Sequence, residues 1–205
     1  NPNYVLTGTV SAEITKKTLT ATVFFNDKTY DGNPAANPTV TIAGGLVGSE
    51  TINATGTATF DSKNAGTRTA TLNDVTLANG AGGGLAGNYD LSKNNVVPSV
   101  PGTTAVIKPK TIEKLNVYVA DKEYDGTTTA AKPIFTLDKN DLVGNETLTV
   151  SGVAEFDTTT MGKDRPVSLT NVRLGNGSNG GLASNYSLDT KLKPKTKAAI
   201  NYPDV

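Results

Sequence analysis

Hydrophobic and polar residues alternate with a period of two along much of this chain. Ala21, Val23 and Phe25 interleave with Thr20, Thr22 and Phe24, and Leu115, Val117 and Val119 interleave with Asn116, Tyr118 and Ala120. Such alternation predicts strands with one buried face. Further alternating runs lie at TINATGTATF (51–60), RTATLNDVTL (68–77), TLTVSGVAEF (147–156) and RPVSLTNVRL (165–174). Gly, Asn-Gly and Asp-Gly punctuate these runs, and no sustained helical period appears.

The runs occur twice. Tyr30-Asp31-Gly32 returns as Tyr124-Asp125-Gly126, GLVGSETINATGTATFD (45–61) as DLVGNETLTVSGVAEFD (141–157), LNDVTL (72–77) as LTNVRL (169–174), and GGLAGNYDL (83–91) as GGLASNYSL (180–188). The offset drifts from 94 to 97 residues, so small insertions fall between the blocks. Four blocks in one order make a tandem repeat. A third echo opens the chain, where NYVL (3–6) and AEITKKTL (12–19) follow the pattern that closes the first copy. The expected organisation is a tail of a preceding repeat at 1–15, one repeat at 16–108 and a second at 109–205. With several short strands in each copy, the predicted fold is all-β, as two tandem Ig-like β-sandwich domains arranged end to end. Pro109, in VIKPKTIEKLN (106–116), predicts a stiff junction. Leu19 aligns one residue out of step with Ile112, which predicts a β-bulge in one copy.

The recurring residues read first as structure. Asp31-Gly32 and Asp125-Gly126 suit a tight turn with positive φ, and Tyr30 and Tyr124 are expected to lie on the core edge. Lys28 and Lys122, just before these turns, are expected to be exposed. In the Gly-rich loops, Leu85 and Leu182 are expected to plug the loop. These loops lack the Lys-Ser/Thr of a P-loop and lead into no helix, so a phosphate cradle is rejected. Phe60 and Phe156 read as core aromatics, each followed by a strand-ending Asp. DKNDLVGNE (138–146) crowds carboxylates into one loop, as a calcium site would, but misses EF-hand spacing, and the first copy keeps only its Glu, so it reads as a solvated loop. Phe24 and Tyr118 occupy equivalent positions off the main apolar stripe. They read as packing beneath a loop or at the domain junction or, alternatively, as a pair of aromatics able to stack on sugar rings.

Composition narrows the chemistry. The 205 residues carry 19 basic and 19 acidic side chains, so no strong field draws the chain to nucleic acid or an anionic membrane. His, Cys and Trp are absent, and so is Gln. Disulfides and thiolate metal sites are thereby excluded, a Thr–Gln ester cross-link has no partner, and the usual general bases and nucleophiles are missing. A Lys–Asn isopeptide would need an apolar pocket around Lys28 or Lys122. Asn-x-Ser/Thr sequons at Asn53, Asn145, Asn176 and Asn185 are no more than an Asn- and Thr-rich chain yields by chance. No apolar stretch approaches the roughly 20 residues of a membrane helix, and an export signal is expected outside this segment. No catalytic, cofactor-binding or metal residues are expected.

The blocks DKTYDG and DKEYDG, GLVGSE and DLVGNE, TFDSKNAGT, GGLAGNYDL and GGLASNYSL, and AVIKPK are together similar to the YDG-domain repeats of filamentous-haemagglutinin-like bacterial exoproteins and adhesins. The resemblance implies a secreted parent displayed at the bacterial cell surface, with the repeats as a non-catalytic stalk that supports attachment or biofilm formation. The partners it implies are neighbouring repeats of the same chain and a host or matrix ligand elsewhere in the parent, with the segment itself a monomer. Alternatives are that the repeats bind a glycan or host protein, or associate through sheet edges. The second copy departs from the pattern at FDTTTMGKDRP (156–166), so that loop is expected to change shape.

Overall fold

A computed structural model of the chain describes residue 3 and residues 8–204. Most of the NYVL echo at 3–6 lies outside the described residues. The first sequence copy contributes β1 (Lys17–Thr18), β2 (Thr20–Asn26), β3 (Lys28–Thr29), β4 (Ala35–Gly44), β5 (Ile52–Phe60), β6 (Gly66–Asn79), β7 (Tyr89–Asp90), β8 (Val96–Pro98) and β9 (Thr104–Lys108). The second contributes β10 (Lys110–Ile112), β11 (Leu115–Tyr118), β12 (Lys122–Glu123), β13 (Ile134–Leu137), β14 (Leu148–Phe156), β15 (Gly162–Asn176), β16 (Tyr186–Leu188) and β17 (Thr196–Asn201). Short 3₁₀ turns at Ala86–Asn88, Lys93–Asn95, Lys139–Asp141 and Ala183–Asn185 complete the regular structure.

The chain divides into two compact units that do not follow the sequence copies. One comprises Asn1–Asn26, Ala36–Thr59 and Ala70–Thr104; the other comprises Asp27–Ala35, Phe60–Thr69 and Ala105–Val205. The YDG turn of the first copy therefore belongs to the same compact unit as the whole second copy. The protein is all-β with two β domains, and where two flat sheets of a sandwich were expected each domain holds a strongly curled half-barrel sheet.

In the first unit the strand order runs β6-β5-β4-β2-β8. Strand β2 pairs antiparallel with β4 and parallel with β8, and a register shift falls between Thr20 and Ala21. The extra residue of this shift is Ala43 on β4, and Leu19 and Ile112, both fully buried, hold equivalent places beside β7 and β16. Ala21, Val23 and Phe25 face inward as the alternation requires.

In the second unit β12-β17-β15-β14 form one sheet, β11 pairs antiparallel with β13, and β10 pairs parallel with β16. Val119, Ala154, Phe156, Val167, Ala198 and Ile200 form its core, with Val117, Ala130, Met161 and Leu169 packed against it. The sheet curls at Gly152, where the β14–β15 register shifts between Ser151 and Val153. A Cβ on Gly152 would stand 3.2 Å from Phe135 and from Val172. The bend brings these side chains over the strand, and a side chain at 152 would crowd them, so that one of them has to give way. Gly56 is squeezed in the same way in the first unit, by Val40 and Leu72.

Gly152→Val is accordingly expected to destabilise the protein by about 1–3 kcal/mol through overpacking. Urea unfolding measures this, and an unchanged midpoint would contradict the close approach.

Candidate functional site

The recurring Asp-Lys-x-Tyr-Asp-Gly stretch makes the same bonds twice. Asp27 Oδ1 accepts the Val106 N–H at 2.8 Å, and Asp121 Oδ1 accepts the Ala199 N–H at 2.7 Å. The next two residues add in parallel to the strand that closes each copy. Lys28 and Thr29 lie opposite Ile107 and Lys108 of β9; Lys122 and Glu123 lie opposite Ile200 and Asn201 of β17. The tyrosine N–H continues the ladder, from Tyr30 to Lys108 O at 2.7 Å and from Tyr124 to Asn201 O at 2.9 Å. Ile107 and Ile200, on the receiving strands, are almost wholly buried.

Both lysines turn inward, contrary to the expectation of exposure. Their side chains are only 14% and 13% exposed. Lys28 Nζ donates to Asp31 Oδ1 at 2.9 Å, to Ala35 O at 2.8 Å and to Asn33 O. Lys122 Nζ donates to Asp125 Oδ1 at 2.7 Å, to Thr127 O at 2.8 Å and to Thr129 O at 2.9 Å. The aromatic faces of Phe60 and Phe156 stand 6.0 and 5.7 Å beneath the two ammoniums. An ammonium has three N–H donors, and here all three find acceptors while a ring faces the charge. The sequence reading missed this because Lys was weighed as a surface residue, not as a donor for the turn that follows it. Among the described residues no Asn side-chain amide is one of these acceptors.

The turn itself is as expected. Gly32 and Gly126 have φ of 76° and 75°, the left-handed region that favours glycine. Asp31 and Asp125 accept the N–H two residues on, from Asn33 and Thr127. The Lys122 ammonium, together with the N–H and hydroxyl of Thr127, pulls the Asp125 carboxyl down to a pKa of about 2.

The tyrosines diverge. Tyr30 is 2% exposed, and its hydroxyl donates to Glu146 Oε1 at 2.8 Å. Its ring meets Tyr186 edge-on, centroids 5.5 Å apart at 74°. Tyr186 in turn accepts the Val143 N–H at 2.9 Å and donates to Glu146 Oε2 at 3.1 Å. Burial, then the bond to Glu146 and its charge, raise Tyr30 well above the ordinary phenol range. Beside them Asn185, 1% exposed, accepts the Ala65 N–H at 2.8 Å and donates to Asn64 Oδ1 at 3.0 Å. Tyr124, by contrast, is 43% exposed.

A family model described as the YDG domain matches residues 15–96 and again 108–196. The chain belongs to the YDG domain family. No curated protein and no solved structure matches it. In this YDG protein the motif that names the family is a clamp, with the lysine and both aspartates of each copy engaged by the fold.

The remaining candidates fall out differently. Leu85 is 52% exposed and Leu182 only half-buried, so neither plugs its Gly-rich loop. The buried ring behind each loop is Tyr89 or Tyr186, whose hydroxyl needs a polar partner and finds a Glu. In the acidic loop, Asp138 accepts the Asn140 N–H and pairs with Lys114 at 3.3 Å. Asp141, 8% exposed, accepts the N–H groups of Glu113 and Lys114, and Glu146 takes two tyrosine hydroxyls. The loop is bound to the fold and is not a solvated crossing. Among the described residues no group of three or more acidic side chains could hold a metal ion. Phe24 and Tyr118 are 41% and 61% exposed, so neither packs beneath a loop, and Tyr118 stands across from Ile134, itself 62% exposed. At 156–166 the second copy accommodates its extra residue by a register shift between Gly162 and Arg165, with Asp164 at φ 53°. Arg165 Nη2 still reaches back to Met161 O, as Arg68 Nη2 does to Ala65 O.

Because its folded pKa is depressed from 3.8 to about 2, Asp125 contributes stability that is fully present above pH about 4 and lost as pH falls through about 2. Asp125→Asn removes that contribution. The stability difference between wild type and variant is expected to shrink over that window; curves that stay parallel would contradict the clamp.

Proposed function

We propose that this chain is a non-catalytic structural segment, a stalk or spacer, of a secreted, surface-displayed bacterial adhesin that supports attachment or biofilm formation. The observation that carries the reading is the twofold use of the motif. In both copies the charged groups of Asp-Lys-x-Tyr-Asp-Gly are bonded within the turn or to the closing strand. A recurring element whose lysine and aspartates are engaged by the fold in both copies serves construction, and tandem construction is the arrangement that extends reach. The balanced charge and the want of His and Cys fit a passive, dilute-monomer segment that takes neither nucleic acid nor cofactor. In this reading the copies are joined in series with neighbouring repeats, and ligand capture lies elsewhere in the parent.

A second reading has its own support. Phe24 and Tyr118 are exposed at equivalent positions, and Tyr118 with Ile134 makes an apolar patch. Such a platform suits stacking on a glycan ring or contact with a host protein.

Antibodies raised against the purified chain are expected to label intact, unpermeabilised cells that express the parent. The purified chain, added at micromolar concentration, is expected to leave their attachment unchanged. Labelling only after permeabilisation would overturn the surface role. Competition with attachment, abolished by Tyr118→Ala, would favour the binding reading.

A further inference from the structure

The first unit carries the Glu–Tyr socket of the second without a tyrosine from a YDG turn in it. The Tyr89 hydroxyl accepts the Val47 N–H at 3.1 Å and donates to Glu50, as Tyr186 does with Val143 and Glu146. In the second unit Tyr30 fills this socket, bonding Glu146 through its hydroxyl and meeting Tyr186 with its ring. Gly32 sits tight against the loop there, since a Cβ on it would lie 2.9 Å from Val143 Cγ1. In the first unit the counterpart surfaces are open. Val47 is 49% exposed, Asn88 is exposed where Asn185 is 1% exposed, and among the described residues Glu50 Oε1 receives no donor. A cleft of about 380 Å³ runs along Val47, Glu50, Asn88 and Tyr89.

The complementary plug is also present and also open. Tyr124 stands on a turn whose bonds repeat those of the Tyr30 turn one for one, yet it is 43% exposed. We propose that Tyr124 of one molecule docks into the Glu50–Tyr89 socket of a second copy of this chain, so that molecules associate head to tail. The chemistry is that already seen around Tyr30. A phenol hydroxyl would donate to the open carboxylate oxygen, its ring edge would meet Tyr89, and Gly126 would lie against Val47. Asn88 would accept the Met161 N–H as Asn185 accepts that of Ala65, with Thr160 standing where Asn64 accepts from Asn185 through its side-chain oxygen. Plug and socket are different surfaces, so the contact is heterologous and extends into chains instead of closing as a dimer. The inference does not depend on where the parent is displayed. The contact is small, a single turn in a cleft, so association is weak and shows only at high concentration.

Sedimentation velocity over a concentration series into the millimolar range tests it. Wild type is expected to grow into dimers and longer chains. Tyr124→Phe keeps the ring and loses the hydroxyl, and is expected to weaken association about tenfold, equivalent to about 1.4 kcal/mol. Tyr124→Ala and Glu50→Ala are each expected to remain monomeric alone. Mixed in equal amounts they are expected to form one joint and stop at a dimer, because one supplies only the socket and the other only the plug. Wild type that stays monomeric, association that Tyr124→Ala leaves intact, or Tyr124→Phe that associates as wild type does would each overturn the proposal; the second outcome would point to pairing through sheet edges.

Discussion

The two lysine ammoniums of the repeated motif set the terms for everything around them. An ammonium drawn out of water is costly unless its donors are met, and here each meets a carboxylate and two main-chain carbonyls over an aromatic face. Those carbonyls belong to the residues just after the Asp-Gly turn, so the turn has to curl back over the lysine. The curl in turn requires glycine at positive φ and an aspartate to close the loop at its own backbone. The leading aspartate then fixes the segment to the closing strand. The aspartates and the glycine of the motif follow from keeping the lysine charge inside.

Identical motifs nevertheless end in different surroundings. The lysine, aspartates and glycine behave alike in both copies because their partners are local or lie on the closing strand. The tyrosine looks outward from the turn, and its environment is set by what lies in front of it. Tyr30 faces Glu146 and Tyr186 and is buried; Tyr124 is left half in water. The compact units divide accordingly, taking the first copy's 27–35 and 60–69 together with the second copy. A boundary drawn where sequence similarity restarts is not the boundary of packing.

Much of this was legible in the chain. Strict alternation located β2 and β11, and the paired Asp-Gly located both turns; a register shift does fall at Thr20, but its extra residue is Ala43 on β4. What alternation does not carry is the curl of a sheet, which depends on mid-strand close approaches such as Gly152 under Phe135 and Val172. It also misjudged long polar side chains. Lys28 and Lys122 occupy inward positions on two-residue strands too short to show a pattern, and Glu146 meets Tyr30 across 116 residues of sequence. Leu85, the most apolar residue of its loop, stays exposed because the interior place is taken by the ring of Tyr89.

The central claim, that the YDG motif is built around a held lysine charge, is tested most directly by ¹H–¹⁵N NMR of the lysine side chains near neutral pH. Ammonium protons exchange with water too fast to observe when hydrated and slowly when all three are bonded. Two protected ammonium signals are expected, each lost on substituting Lys28 or Lys122 by Met, with the signal of the other lysine retained. Lysine ammoniums that all exchange at the rate of free lysine would contradict the account.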